Sequence, residues 1–214
     1  MGKKVSPRSY RLQIHKDWES KWFNKANYVS NLHVDLSIRK IIFQRMGRLA
    51  AVERVIIERT PKEITVNIYS AKPGIIIGRS GQGVTELKNW LEKELKIEKG
   101  KLKINITEVK IPELSAKIMA QNIALQLEKR IPFRRVLRYA LDKIKQAGAK
   151  GVRITVAGRL DGADIARTEK FNSGSIPLSS LKADVSFAQE DALTTYGIIG
   201  IKVWIYKGES KEEE

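Results

Sequence analysis

A chain of 214 residues, 42% hydrophobic and 30% charged, has material for one large domain or two of about 100 residues each. Forty Lys and Arg against 24 Asp and Glu leave a net charge of +16, a field that gathers polyanions, nucleic acid first among them. Cysteine is absent, which excludes disulfide frameworks, cysteine zinc sites and thiol nucleophiles. No apolar run approaches the ~20 residues of a membrane span, and the N-terminus lacks a signal-peptide core, so a cytoplasmic protein is expected.

Residues 1–34 read as a basic arm. Lys3, Lys4, Arg8 and Arg11 are its candidate RNA contacts, either in a solvated tail or in a segment that orders on RNA. Trp18 and Trp22 stand four apart, the spacing of one helical face, and read as core anchors. A first domain is expected over residues 35–110. It opens with an amphipathic helix from Asp35 to about Leu49, capped by Asp35 or Ser37, with Leu36, Ile38, Ile41, Ile42, Met46 and Leu49 apolar. Strands Val52–Arg59 and Glu63–Ala71 follow, joined by a turn at Thr60-Pro61-Lys62. Then come a short helix at Pro73–Ile77, a glycine loop at 78–81, a helix at Gln82–Lys96 and a strand at Leu102–Val109. The order is α-β-β-α-α-β.

Ile111-Pro112-Glu113 marks the boundary to a second domain, residues 111–207. Helices Glu113–Lys129 and Pro132–Ala147 come first, the latter stopped by Gly148 and Gly151. Strands are expected at Val152–Ala157, Ala166–Phe171, Lys182–Phe187 and Ile198–Tyr206. Helices before strands imply an α+β layer, the helices on one face of a mainly antiparallel four-stranded sheet. Residues 208–214 read as a disordered acidic tail.

The sharpest local signal is Gly78-Arg79-Ser80-Gly81. Glycines lacking Cβ atoms admit a sugar-phosphate backbone, the N–H groups of the next helix face an anion, and Arg79 and Ser80 add a charge and a hydroxyl. This is how a KH module clamps about four nucleotides. Rival phosphate loops fail on spacing. Gly74 and Gly78 are one residue too close for a P-loop, with Arg79 where lysine is required, and Glu86 replaces the last glycine of a dinucleotide fingerprint. No cofactor is expected.

On the helix Pro132–Ala147, Phe133, Leu137, Ala140, Ile144 and Ala147 form one stripe, while Arg134, Arg135, Arg138 and Lys145 project opposite, with Asp142 the lone acid. Like charges three or four apart cost stability unless a polyanion compensates, which favours RNA contact over a solvated face. Signs of catalysis are weak. His15 and His33 lack metal-ligand spacing, and no G-x-S-x-G elbow exists. Asp161, Asp164 and Glu169 are interleaved with Arg159, Arg167 and Lys170, which reads as a salt-bridged loop rather than a magnesium nuclease. The expectation is a protein that is not an enzyme and holds no metal.

Both halves resemble the bacterial form of the ribosomal small-subunit protein three family. The resemblance rests on Met1–Pro7, on Ala71-Lys72-Pro73-Gly74-Ile75-Ile76-Ile77-Gly78 with Arg79-Ser80-Gly81, on Phe133-Arg134-Arg135, on Gly148-Ala149-Lys150-Gly151, on Gly158-Arg159 through Ala166-Arg167-Thr168-Glu169, and on Thr195-Tyr196-Gly197 to Trp204. It implies a type II KH domain and a place in the head of the small subunit on 16S ribosomal RNA. RNA contacts are then expected at Lys72, Gly78, Arg79, Ser80, Gly81, Arg159 and Arg167, beside those of the arm. Small-subunit proteins ten and fourteen would be neighbours, with four and five across the pore that admits messenger RNA. Arg134, Arg135 and Arg138 match three basic residues that help open structured messenger there; the third is lysine in some members, and arginine keeps the charge though not the geometry. The DNA-lesion cleavage of some eukaryotic relatives is not carried over, because the chain stops soon after Tyr206. A free KH-domain RNA chaperone or regulator is the alternative.

Overall fold

The computed structural model describes residues 4–14, 16–95 and 100–209. In chain order these form helix α1 (Pro7–Tyr10), strand β1 (Ser20–Lys21), helix α2 (Tyr28–Ile42), strands β2 (Val52–Arg59) and β3 (Ile64–Ser70), helices α3 (Pro73–Ile77) and α4 (Gln82–Glu94), and strand β4 (Leu102–Glu108). Then come helices α5 (Ala116–Glu128) and α6 (Phe133–Gln146) and strands β5 (Gly151–Gly158), β6 (Arg167–Gly174), β7 (Ala183–Thr194) and β8 (Gly197–Glu209). The fold is α+β, in two compact units.

One unit comprises residues 18–110. From α2 onward it has the expected α-β-β-α-α-β order, and its sheet runs β1-β2-β3-β4 with β2 and β3 antiparallel and β3 and β4 parallel. Strand alternation turns Val66 and Ile68 inward, where they meet Ile38, Ile42, Ile76, Leu87 and Leu91 from the helices.

The first helix of this unit departs from expectation. It starts at Tyr28 and ends at Ile42 in a π-type turn, Phe43–Gly47. Asp35 is therefore no cap. It lies mid-helix and fully buried, where Oδ1 takes Arg59 Nε at 2.8 Å and Nη2 at 2.5 Å, and Oδ2 takes Trp22 Nε1 at 2.7 Å and Ser20 Oγ at 3.0 Å. A carboxylate with this many donors can leave water, which periodicity alone does not reveal. The register moves with it: Leu36 and Leu49 are exposed, and Ile38, Ile41 and Ile42 form the buried face. Trp18 and Trp22 share no helix. Trp18 is exposed and Trp22 anchors through its indole N–H.

The other unit comprises residues 4–17 and 111–209 of the described chain. Its sheet is wholly antiparallel in the order β6-β5-β8-β7. Buried residues of α5 and α6, among them Ile123, Leu127, Phe133, Leu137 and Ile144, share one core with Val152, Ile154, Val156, Ile201, Val203 and Ile205.

Two expected boundaries change. Residues 4–17 cluster with this unit rather than standing apart as an arm, because Arg11 and Lys16 bond to the segment around and ahead of β7. Gly208 and Glu209 are not tail: β8 carries them opposite Asp184 and Ala183. Residues 210–214 of the expected tail lie outside the described residues.

Candidate nucleic-acid interface

The glycine loop is shaped by backbone. Ser70 Oγ donates to Ala50 O at 2.6 Å and accepts from Lys72 N–H at 3.0 Å, which turns the chain out of β3. Pro73 then opens α3, as its fixed φ favours. Gly78 adopts φ +69°, Ser80 φ +53° and Gly81 φ +77°, so three of the four loop residues are left-handed. Gly78 also lies close to the next helix: a Cβ there would stand 3.1 Å from Gly83 N. No side chain caps α4; the N–H of Gln82 goes to Arg79 O, so an anion here would meet the N–H groups that follow it. Gly78, Arg79 and Ser80 are exposed and Gly81 half-buried, so these four expected contacts share one accessible loop, while Lys72, also exposed, stands ahead of α3.

Gly83 was missed as a structural requirement. A Cβ there would lie 2.5 Å from Ile76 O and 3.0 Å from Ile77 O, so this glycine lets α3 and α4 close on each other. The sequence shows a glycine two residues past the loop, but not that a carbonyl sits against it.

The second surface is built on α6. Phe133, Val136, Leu137, Ala140, Leu141 and Ile144 are buried, while Arg134, Arg135, Arg138 and Lys145 are exposed. Val136 and Leu141 widen the expected stripe. The Arg134 and Arg167 guanidinium carbons each lie 5.8 Å from the Phe133 ring centroid, so the fold brings α6 and β6 cations together over one aromatic edge. Arg159 Nε donates to Ala163 O at 2.8 Å and Nη2 to Asp164 Oδ1 at 3.2 Å. Asp161 Oδ1 accepts the Phe133 N–H at 3.3 Å, and Glu169 pairs with Arg167 at 3.5 Å. The three acids thus do separate structural jobs.

The basic arm divides. Lys4 and Arg8 are exposed, and Lys3 and His15 lie outside the described residues. Arg11 is corrected: it is fully buried, and its guanidinium donates to the carbonyls of Pro7, Pro177, Leu178 and Ser180 at 2.7–3.1 Å. It fastens protein to protein and presents nothing to RNA. Lys16, beside it in this role, donates to Val185 O at 3.0 Å; burial pushes its ammonium below the ordinary lysine range, with Asp184 opposing.

A left-handed glycine loop between two helices, the second without a side-chain cap, and a helix whose exposed face is cationic but for Asp142 define a KH-class RNA-binding protein. Comparison with known proteins narrows the class. Residues 37–114 match the KH domain family and residues 123–205 match "Ribosomal protein S3, C-terminal domain". Over 210 residues the chain is 48% identical to Small ribosomal subunit protein uS3 of Clostridium kluyveri, covering 98% of this chain and 93% of the relative. The uS3 proteins of Clostridium botulinum (strain Okra) and Clostridium novyi give the same identity over 98% of this chain and 93% and 94% of theirs. The chain belongs to the uS3 family of small-ribosomal-subunit proteins.

Proposed function

We propose that this chain is a structural constituent of the small ribosomal subunit that binds 16S ribosomal RNA in the subunit head and lines the pore through which messenger RNA enters. Lys4, Arg8, Lys72, Arg159 and Arg167 serve as phosphate contacts, and the loop Gly78-Arg79-Ser80-Gly81 as a backbone clamp. Proteins ten and fourteen are its neighbours in the head, with four and five across the pore, in the cytoplasmic ribosome.

The observation that carries this reading is the display of Arg134, Arg135 and Arg138 from a helix whose opposite face is buried. Side chains so presented hold phosphates of a single strand as it forms. Each contact lowers the free energy of the opened strand relative to re-annealing, while translocation supplies the work. No nucleotide hydrolysis by this chain is needed.

Replacing Arg134, Arg135 and Arg138 by alanine should slow translation through hairpins far more than through unstructured messages; equal slowing of both discards the unwinding role. Sedimentation in a sucrose gradient tests the wider reading. A ribosomal constituent travels with small subunits, whereas a free KH regulator stays near the top.

A further inference from the structure

The second unit holds a cavity of about 370 Å³ at the N-terminal end of α6, within the range of pockets that enclose small ligands. Its floor is apolar, made by Leu127, Phe133 and Ile199. Its rim carries Arg130, from the α5–α6 connection, and Arg159, from the turn after β5. Beside buried Phe133, the aromatic at its exposed wall is Tyr196, in the two-residue turn between β7 and β8.

Tyr196 is held open rather than packed away. It is 55% exposed, at a turn closed by Thr194 Oγ1 donating to Gly197 O at 2.7 Å. Gly162, at φ +78°, lies so close beneath that a Cβ would stand 3.0 Å from Tyr196 Cε2. The Arg159 guanidinium carbon sits 5.7 Å from the Tyr196 ring centroid. Its carboxylate partner, Asp164, is fully solvated, so a phosphate can replace that partner at little cost. Asp161, the one acid lining the cavity, gives Oδ1 to the Phe133 N–H.

We propose that this cavity receives one unpaired RNA nucleotide, its base stacked on Tyr196 and its phosphates met by Arg130 and Arg159. A positioned aromatic with cations beside it and an apolar floor is the chemistry of single-strand binding: the ring takes any base, and the arginines take the backbone. The inference rests on the RNA-binding reading above and deepens it, placing a base-holding element beside the phosphate-holding arginines of α6.

The test is a single-stranded oligonucleotide titrated against the full chain by fluorescence anisotropy across a salt series. Tyr196→Ala should weaken binding roughly tenfold at every salt concentration without changing the slope of log affinity on log salt, because stacking releases no counterions. Tyr196→Phe should stay within about twofold of the parent, since it keeps the ring and the fold. Arg130→Ala should instead reduce the slope by about 0.7. If the parent binds and Tyr196→Ala binds equally well, the pocket is overturned while the RNA reading stands; if the parent ignores the oligonucleotide even at low salt, both fall. In assembled subunits, 4-thiouridine placed in the messenger or in 16S RNA should cross-link to the peptide holding Tyr196, and the arm that does so identifies the strand. Cross-linking from neither would overturn the site.

Discussion

A guanidinium offers five donors in a planar fork, and carbonyl oxygens satisfy that fork as well as phosphate oxygens do. Arg11 turns Nη2 to the carbonyls of Pro177, Leu178 and Ser180 and leaves its buried Nε unpaired, whereas Arg135 stands exposed on α6. Arg11→Ala should therefore destabilise the fold by about 2–4 kcal/mol, since buried carbonyls lose their partners. It should leave the salt dependence of RNA binding unchanged, while Arg135→Ala lowers the slope by about 0.7 with little effect on stability. Urea unfolding and binding isotherms read the two effects separately, and a reduced slope in Arg11→Ala would reverse the assignment. Nothing in the run from Lys3 to Arg11 marks which cation turns inward, because residue type is the same and only the partner differs. The same limit hid Asp35: a carboxylate ahead of an apolar run looks like a cap, and its half-buried partner Arg59 lies 24 positions on. By contrast, the backbone roles of Gly78 and Gly81 are legible, because left-handed backbone depends on glycine itself, whereas the positive φ of Ser80 carries no such mark.

Among the elements, those with a strong local signal fall where their pattern puts them. Val52–Arg59 and Pro73–Ile77 carry the expected bounds, the first a β-branched run closed by the Thr60-Pro61-Lys62 turn and the second set by proline at its first position. Strand β7 runs to Thr194, well past the expected Phe187, because its inward positions there are Ala188 and Ala192, too small to read as a hydrophobic stripe. Helix α4 shows how a loop and a helix depend on each other. Gly81 needs only its left-handed φ, with open space where a Cβ would go, while Gly83 needs the space itself. Gly81→Ala should cost about 1–2 kcal/mol, and Gly81→Asn should recover much of this because asparagine tolerates that conformation. At Gly83 both Ala and Asn should destabilise by about 1–3 kcal/mol, since either drives α4 away from the Ile76 carbonyl. Denaturation midpoints of the four variants distinguish a conformational requirement from a steric one. Recovery at position 83 by asparagine would show that α3 and α4 have room to part.

At the scale of the chain, one compact unit is interrupted in sequence by the other: residues 4–17 belong with residues 111–209, and residues 18–110 fold between them. The contacts responsible include specific hydrogen bonds to backbone carbonyls. Besides the Arg11 clamp, Tyr10 Oη donates to Ser179 O at 3.4 Å, and Lys16 binds Val185 O and pairs with Asp184 at 3.5 Å. Strand β7 is an edge of its sheet, and an unprotected edge exposes backbone groups to pairing with other chains. The N-terminal segment, which composition alone presents as an RNA arm, thus fastens the approach to an edge strand and is needed by a unit synthesised almost a hundred residues later. Deleting residues 1–17 should speed amide hydrogen exchange in β7 and in residues 177–182, and raise the tendency of the chain to self-associate. Exchange in β2, β3 and α4 should be unchanged, because their core draws nothing from residues 4–17. Faster exchange in both units alike would mean that the segment stabilises the chain generally, and that bonds to β7 and residues 177–180 are incidental to its role.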